Sequence, residues 1–370
     1  MLEIDFYMKP LKLILENPSK KLRNLSTRVF RRNSLVHSEQ TAYEIIDTYK
    51  NTQIRYYPSP NKQYKEPLVF IPPLAVNTAI YDLHPYRSLI QYFQNQGFDI
   101  YLLQWDRFNH SHHSLNFLYF IDDLIPHCIE QIQTHANSQQ ISLHGWSMGG
   151  IFVTLYTALH QPKYVKNLIV LGSPINTYAS GRIGKLFEYT YKLISKKPKL
   201  QNLFIHENIA DQYIHTPGII NSVGFKLINP KSWLDSKVQL LKKLDNTQFM
   251  NEHATMSQFL NHMMDYPGAI NKDMVLNIWL KNSLKNGHIQ LANKLIELKN
   301  IDCSVFVGAG DNDQIVSAEA AKPLIELTNS QDVTFTLIPG GHLGLMSSRK
   351  SAEKFWPTLS DWLALRSTKL

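Results

Sequence analysis

A chain of 370 residues is longer than a typical small domain and shorter than two large ones, which points to one large core carrying an inserted segment. Hydrophobic residues at 44% and aromatics at 11% are ample for a packed interior, and 16 Gly with 18 Pro exclude low-complexity or collagen-like character. Thirty-eight Lys and Arg against 30 Asp and Glu give a net charge of +8, which is compatible with nucleic acid, an anionic membrane or an acidic substrate and diagnostic of none.

Cys128 and Cys303 cannot build a disulfide framework, and the opening MLEIDFYMKPLK places acids ahead of any apolar stretch. No run approaches the roughly 18 apolar residues of a membrane span. A cytoplasmic protein, soluble or peripheral to a membrane, is the expectation.

Residues 1–60 show weak periodicity and are expected to wrap the core as a basic arm of helix and coil. Beyond them, 68–72 (LVFIP), 98–105 (FDIYLLQW), 141–145 (ISLHG) and 168–171 (LIVL) read as buried strands, with helical spacing at 86–96, 115–134 and 149–160. This alternation predicts an α/β fold with a mostly parallel sheet. Pro126 should kink or split the second helix. The third, GGIFVTLYTALH, is apolar nearly all round, as a helix buried beneath an active site would be. From 176 to 299 there is only helical periodicity with basic clusters and Pro breaks. The strand pattern returns at 304–307 (SVFV) and 333–338 (VTFTLI), and a helix at 352–365 closes the chain. The expected division is therefore an N-terminal arm at 1–60, core at 61–175, a helical cap insertion at 176–300 and core again at 301–370.

The stretch Gly145-Trp146-Ser147-Met148-Gly149-Gly150 matches G-x-S-x-G between a predicted strand and a predicted helix, the context of the nucleophile elbow of the α/β-hydrolase fold. Small residues at 145 and 149 permit the sharp turn that lifts the Ser147 hydroxyl above the sheet, and the Met148 N–H at the helix start faces a developing oxyanion. A serine hydroxyl needs a histidine base held by a carboxylate, and here these follow in the order Ser, Asp, His. His342, in GGHLG after the last predicted strand, is the expected base. Asp313, in DNDQIV after the strand at 304–307, is the expected acid, with Asp311 as the alternative that otherwise caps the turn. The second oxyanion donor is expected from Ala75 or Val76, in the loop after the first core strand, with Asn77 bracing that loop.

Other constellations are weaker. His110, His112 and His113 suggest a metal tract, but no Cys or carboxylate spacing completes it, so a solvated loop is expected. His144 is expected as a strand residue with a satisfied ring, and the six tryptophans as core or acyl-site walls. No phosphate loop, dinucleotide fingerprint or zinc spacing is present, so neither cofactor nor metal is expected.

From about residue 65 onward the chain resembles the polyhydroxyalkanoate synthases, most of all their short class III catalytic subunits. The resemblance rests on Pro72-Pro73-Leu74-Ala75-Val76-Asn77 followed by Tyr81-Asp82-Leu83, and on the run 97–105 (GFDIYLLQW). It continues through Asp265-Tyr266-Pro267-Gly268, Asn282-Ser283-Leu284 and Asp313-Gln314-Ile315-Val316. Such a resemblance implies an α/β-hydrolase core with a cap, acting on 3-hydroxyacyl thioesters, CoA-linked, to grow a polyester, with an accessory subunit or a granule surface as partner. Two positions depart from that family. Ser147 stands where the family has cysteine, and Gln314 follows the acid where histidine is usual. A seryl ester is more stable than a thioester and retains less driving force for chain transfer, so the substitution moves weight toward esterase, thioesterase or polyester depolymerase chemistry.

The charge is concentrated. Residues 1–34 carry eight Lys and Arg against three acids, and residues 182–200 carry six against one, leaving 24 against 26 elsewhere. Nucleic acid is therefore not an expected partner. In the second segment Ile183, Leu186, Phe187, Tyr191 and Ile194 recur at helical spacing with Lys185, Glu188, Lys192 and Lys196 largely on another face. That helix either packs on the core with a solvated basic face or docks to an anionic lipid or granule surface. The sequence thus predicts a cofactor-free enzyme acting on acyl or 3-hydroxyacyl esters or thioesters, by hydrolysis or by polyester synthesis. A surface-associated scaffold with a vestigial site is the alternative from a different class.

Overall fold

The computed structural model describes residues 18–74, 76–228 and 230–370. Helix α1 (Pro18–Phe30) leads into a hairpin of β1 (Glu44–Tyr49) and β2 (Thr52–Tyr57). The core then alternates strand and helix: β3 (Leu68–Ile71), α2 (Leu89–Asn95), β4 (Ile100–Trp105), α3 (Ile125–Ala136), β5 (Ile141–Trp146), α4 (Met148–His160) and β6 (Val165–Leu171). The segment after β6 contains α5 (Gly181–Ile194), α6 (Gly218–Ile228), α7 (Pro230–Lys242), α8 (Thr247–Asn261) and a separate hairpin of β7 (His288–Leu291) and β8 (Lys294–Glu297). Strands β9 (Ser304–Gly310) and β10 (Val333–Ile338) and helix α9 (Trp356–Ala364) complete the chain.

Eight strands form one sheet in the order β1-β2-β4-β3-β5-β6-β9-β10. From β4 to β10 all pairings are parallel, whereas β1 and β2 join antiparallel at the β4 edge. Because side chains alternate along a strand, β3 sends Val69 and Ile71 to one face and Leu68 and Phe70 to the other. The first face packs on α3 and α4, the second on α2 and α9. Strands β3, β5 and β6 are buried along almost their whole length, as a sheet covered on both sides requires.

This is the α/β-hydrolase arrangement predicted from the sequence, a mostly parallel central sheet with flanking helices. Pro126 does not split its helix: the backbone stays helical from 117 to 136, and a π-helical turn over Tyr119–Leu124 passes directly into α3, where the proline sits in the first turn. Two further features differ from expectation. The β1–β2 hairpin lies where only helix and coil were predicted; β1 is an edge strand, half exposed on both faces, so it carries no clean apolar alternation. The β7–β8 hairpin lies in a segment predicted to lack strands; each of its strands is four residues long, too short for periodicity to register. Part of the basic arm, including Lys9 and Lys12, lies outside the described residues. Cys128 and Cys303 are both free. Among the described residues, no helix is long and apolar enough to cross a membrane.

Candidate active site

Five loops meet at the carboxyl ends of the parallel strands, the edge where ligands bind in such sheets. Ser147 follows β5 with φ 57° and ψ −124°, a conformation that costs a non-glycine residue about 1–3 kcal/mol and is held by its neighbours. Its N–H donates to the Leu171 carbonyl at 2.8 Å, and its own carbonyl accepts from the Ser173 hydroxyl at 2.8 Å. Gly149 permits the close packing beneath: a Cβ there would collide with the Ile71 carbonyl oxygen. Helix α4 starts at Met148, whose amide is among those with no partner inside the helix.

His342, in the loop after β10, places Nε2 2.9 Å from Ser147 Oγ and Nδ1 2.7 Å from Asp313 Oδ2. A carboxylate only accepts, so Nδ1 carries the proton and Nε2 is left to accept from the Ser147 hydroxyl. The histidine ring rests against the Trp146 indole, with centroids 5.3 Å apart. Asp313 is buried, and its second oxygen accepts from the amides of Ile315 and Val316 at 2.8 and 2.9 Å. Asp311 is exposed and accepts from the Gly340 N–H at 2.8 Å, so it ties two loops together and does not reach the histidine. Gln314, where the resemblance leads one to expect histidine, is exposed and donates to the Asn312 side chain.

Above the serine lies a cavity of about 540 Å³, with Val76, Pro73 and Trp146 on its floor and Phe187, Tyr266 and Trp279 among its walls. Val76 thus reaches the site, whereas Ala75 lies outside the described residues. The Asn77 side chain accepts from the Ala79 N–H at 3.1 Å and so caps the turn that follows the loop. The walls come mostly from the segment between β6 and β9, and the Phe187 ring lies tilted against Trp279 with centroids 5.3 Å apart. The sequence marks Ile183 and Phe187 as one apolar face of a helix and Tyr266 through the resemblance, but gives no signal for Ser173 or Met274. Two of the six tryptophans, Trp146 and Trp279, do line the cavity.

Two weaker expectations fare differently. His112 closes a capping box with Asn109, and among the described residues no three His, Cys, Asp or Glu gather as a metal site. His144 is fully buried but not satisfied: neither ring nitrogen has a partner among the described residues. Burial pushes its pKa down to about 3, so the ring is neutral and packs edge-on to Phe70 at 4.7 Å as an apolar group.

The α/β-hydrolase fold family model matches residues 66–208. The poly(3-hydroxyalkanoate) polymerase subunit PhaC of Haloferax mediterranei is 27% identical over 332 residues, which cover 89% of this chain and 65% of that protein. The corresponding subunit of Thiocystis violacea is 26% identical over 304 residues, 82% of each chain. The chain has the α/β-hydrolase fold and is similar in sequence to polyhydroxyalkanoate polymerases. Among solved structures, a monoacylglycerol lipase of Paleococcus ferrophilus superposes with a TM-score of 0.54 at 16% identity, covering 86% of this chain and all of that one, a likeness of fold alone. The chain spans 65% of the Haloferax protein's length and carries serine at the elbow.

Proposed function

We propose that this protein is a serine-dependent acyl-transfer enzyme acting on acyl or 3-hydroxyacyl esters or thioesters. The observation that carries the reading is the continuous hydrogen-bonded line from Asp313 through His342 to Ser147 at the floor of an apolar cavity. Ser147 Oγ attacks the carbonyl carbon while His342 Nε2 takes its proton. The Met148 N–H and an amide of the loop at 74–77 hold the oxyanion. Collapse of the tetrahedral adduct expels the alcohol or thiol, which leaves with the proton from His342, and the acyl group stays on Ser147. Asp313 keeps the imidazole in the tautomer this sequence needs. The segment 176–300 acts as a cap whose side chains wall the acyl chain, between core parts at 61–175 and 301–370.

Transfer to water is the favoured outcome, because a seryl ester gives up less free energy to a waiting hydroxyl than a thioester does. That makes the protein an esterase, thioesterase or polyester depolymerase. The names of the relatives favour a second reading, in which 3-hydroxyacyl-CoA is polymerised from the same acyl-enzyme.

The outer face of α5 supports placement at a surface. Leu186 and Tyr189 are each 62% exposed beside the exposed Arg182, Lys185 and Lys192, a mixture suited to an anionic lipid or polyester granule. An accessory subunit would be a further partner. Incubation with 3-hydroxybutyryl-CoA and with a p-nitrophenyl acyl ester separates the readings: free acid supports hydrolysis, polymer supports synthesis, and no Ser147-dependent product from either leaves a scaffold with a vestigial site.

A further inference from the structure

A second cavity, of about 630 Å³, shares α6 with the apolar one: Phe225 lines the first and Lys226 the second. Its chemistry is different. Arg28 from α1, Arg32 from the turn that follows, Lys226 from α6 and Lys237 from α7 all line it. Among the described residues, none of these four is within ion-pair distance of a carboxylate. The single acid in the wall, Glu252, is already held by Arg87 at 3.4 Å, Arg349 at 2.6 Å and the Tyr86 hydroxyl at 2.9 Å.

The partners that the four cations do have are neutral. Arg28 Nη2 bonds His253 Nδ1 at 2.9 Å, Lys226 Nζ donates to Asn261 at 2.7 Å, and Lys237 Nζ sits 5.6 Å from the Trp233 ring. Arg28 Nη1 and Arg32 Nε are buried donors without a partner among the described residues. The two imidazoles in the wall do not add charge: burial first, then neighbouring cations, hold His84 and His253 down to about 4. Partial burial lowers the pKa of both Arg28 and Lys237, and the adjacent cations lower each further. Positive charges brought together in this way without a counter-charge destabilise one another, and a multivalent anion would relieve all of them at once.

The wall also includes Ser236, Ser257 and Ser347, and the flat ring of Trp233. We propose that this cleft is a binding site for a ligand carrying two or more phosphate charges. Guanidinium donors match phosphate oxygens in geometry, the lysines add point charges, and serine hydroxyls complete the shell. The site is independent of the reaction assigned to Ser147. It does touch the catalytic loop, since Leu343 and Gly344, directly after His342, form part of its wall.

Titration of the full chain with inorganic pyrophosphate and with adenosine 3′,5′-bisphosphate, followed by calorimetry and thermal shift, tests the site. A parallel arm uses phosphatidic acid vesicles against neutral phosphatidylcholine vesicles. Saturable binding of a soluble phosphate compound is expected, weakened roughly tenfold or more in Arg28→Gln and in Lys237→Gln, and weakening steeply with added salt. Lys237 is exposed, so Lys237→Gln leaves the packing intact even where a change at Arg28 disturbs α1. Binding to the acidic vesicles alone, lost in the same variants, would assign the phosphate to a lipid headgroup at the same site. No saturable binding in any arm, or binding unchanged in both variants, would overturn the proposal.

Discussion

Asp313 divides its carboxylate between two tasks: Oδ2 meets His342 Nδ1 at 2.7 Å while Oδ1 accepts two backbone amides of its own loop. The loop bonds fix the carboxylate, and the fixed carboxylate fixes the imidazole. Asp313→Asn keeps the shape but permits the wrong histidine tautomer, so the rate of ester turnover should fall roughly 10³- to 10⁴-fold. Ser147→Ala should fall as far, and removing Asp313 from the Ser147→Ala variant should then cost little more, because the groups act as a unit. A strictly additive loss in steady-state kinetics would contradict this.

Ser147→Cys tests the link between nucleophile and outcome. With 3-hydroxybutyryl-CoA supplied, the ratio of polymer to free acid should rise about tenfold or more, since the acyl group is then held as a thioester. Chromatographic quantification of both products gives the ratio, and an unchanged value would detach product fate from the elbow residue.

The cavity wall should set acyl length. Trp279→Ala removes the ring against which Phe187 packs and deepens the pocket. The preference for long over short p-nitrophenyl esters, measured as the ratio of kcat/KM values, should shift roughly tenfold toward the longer chains.

Gly149→Ala should be severe. The new Cβ meets a backbone oxygen of β3, which cannot rotate away, so a stability loss of about 3 kcal/mol with loss of activity is expected from urea denaturation and turnover together.

Asp273 gives a pH signature. Burial raises its pKa to about 7, with Glu207 and Asp211 adding to the rise, although it accepts from the Phe117 amide at 2.7 Å. Below about pH 4 both folded and unfolded chains hold this proton. Between about 4 and 7 only the folded chain does, so its contribution to stability declines as pH rises and is fully lost above about 7. Asp273→Asn should therefore flatten the stability profile between pH 4 and 8, gaining roughly 1–4 kcal/mol at the upper end relative to the unaltered protein.

Much of the site was legible because its residues sit in short, local patterns. The elbow needs Gly145, Ser147 and Gly149 within one turn, and the candidate acid and base each follow a strand of the sheet, so chain order alone pointed to them. The choice of Asp313 over Asp311 followed from spacing, and the structure pairs Asp313 with the histidine. What stayed hidden lacked a local pattern. The edge strand β1 is half exposed, the β7–β8 strands are four residues long, and Met274 in the cavity wall is a hydrophobic residue like any other.

Charge shows the division most clearly. The sequence by itself determined that the excess of +8 concentrates in residues 1–34 and 182–200, leaving the rest nearly neutral, because composition along a chain needs no fold to be read. Only the tertiary structure decided that Arg28 and Arg32 turn to meet Lys226 and Lys237 across a cleft, about two hundred residues away in sequence. Charges that far apart along the chain repel one another only when packing brings them together, and packing is a property of the whole core.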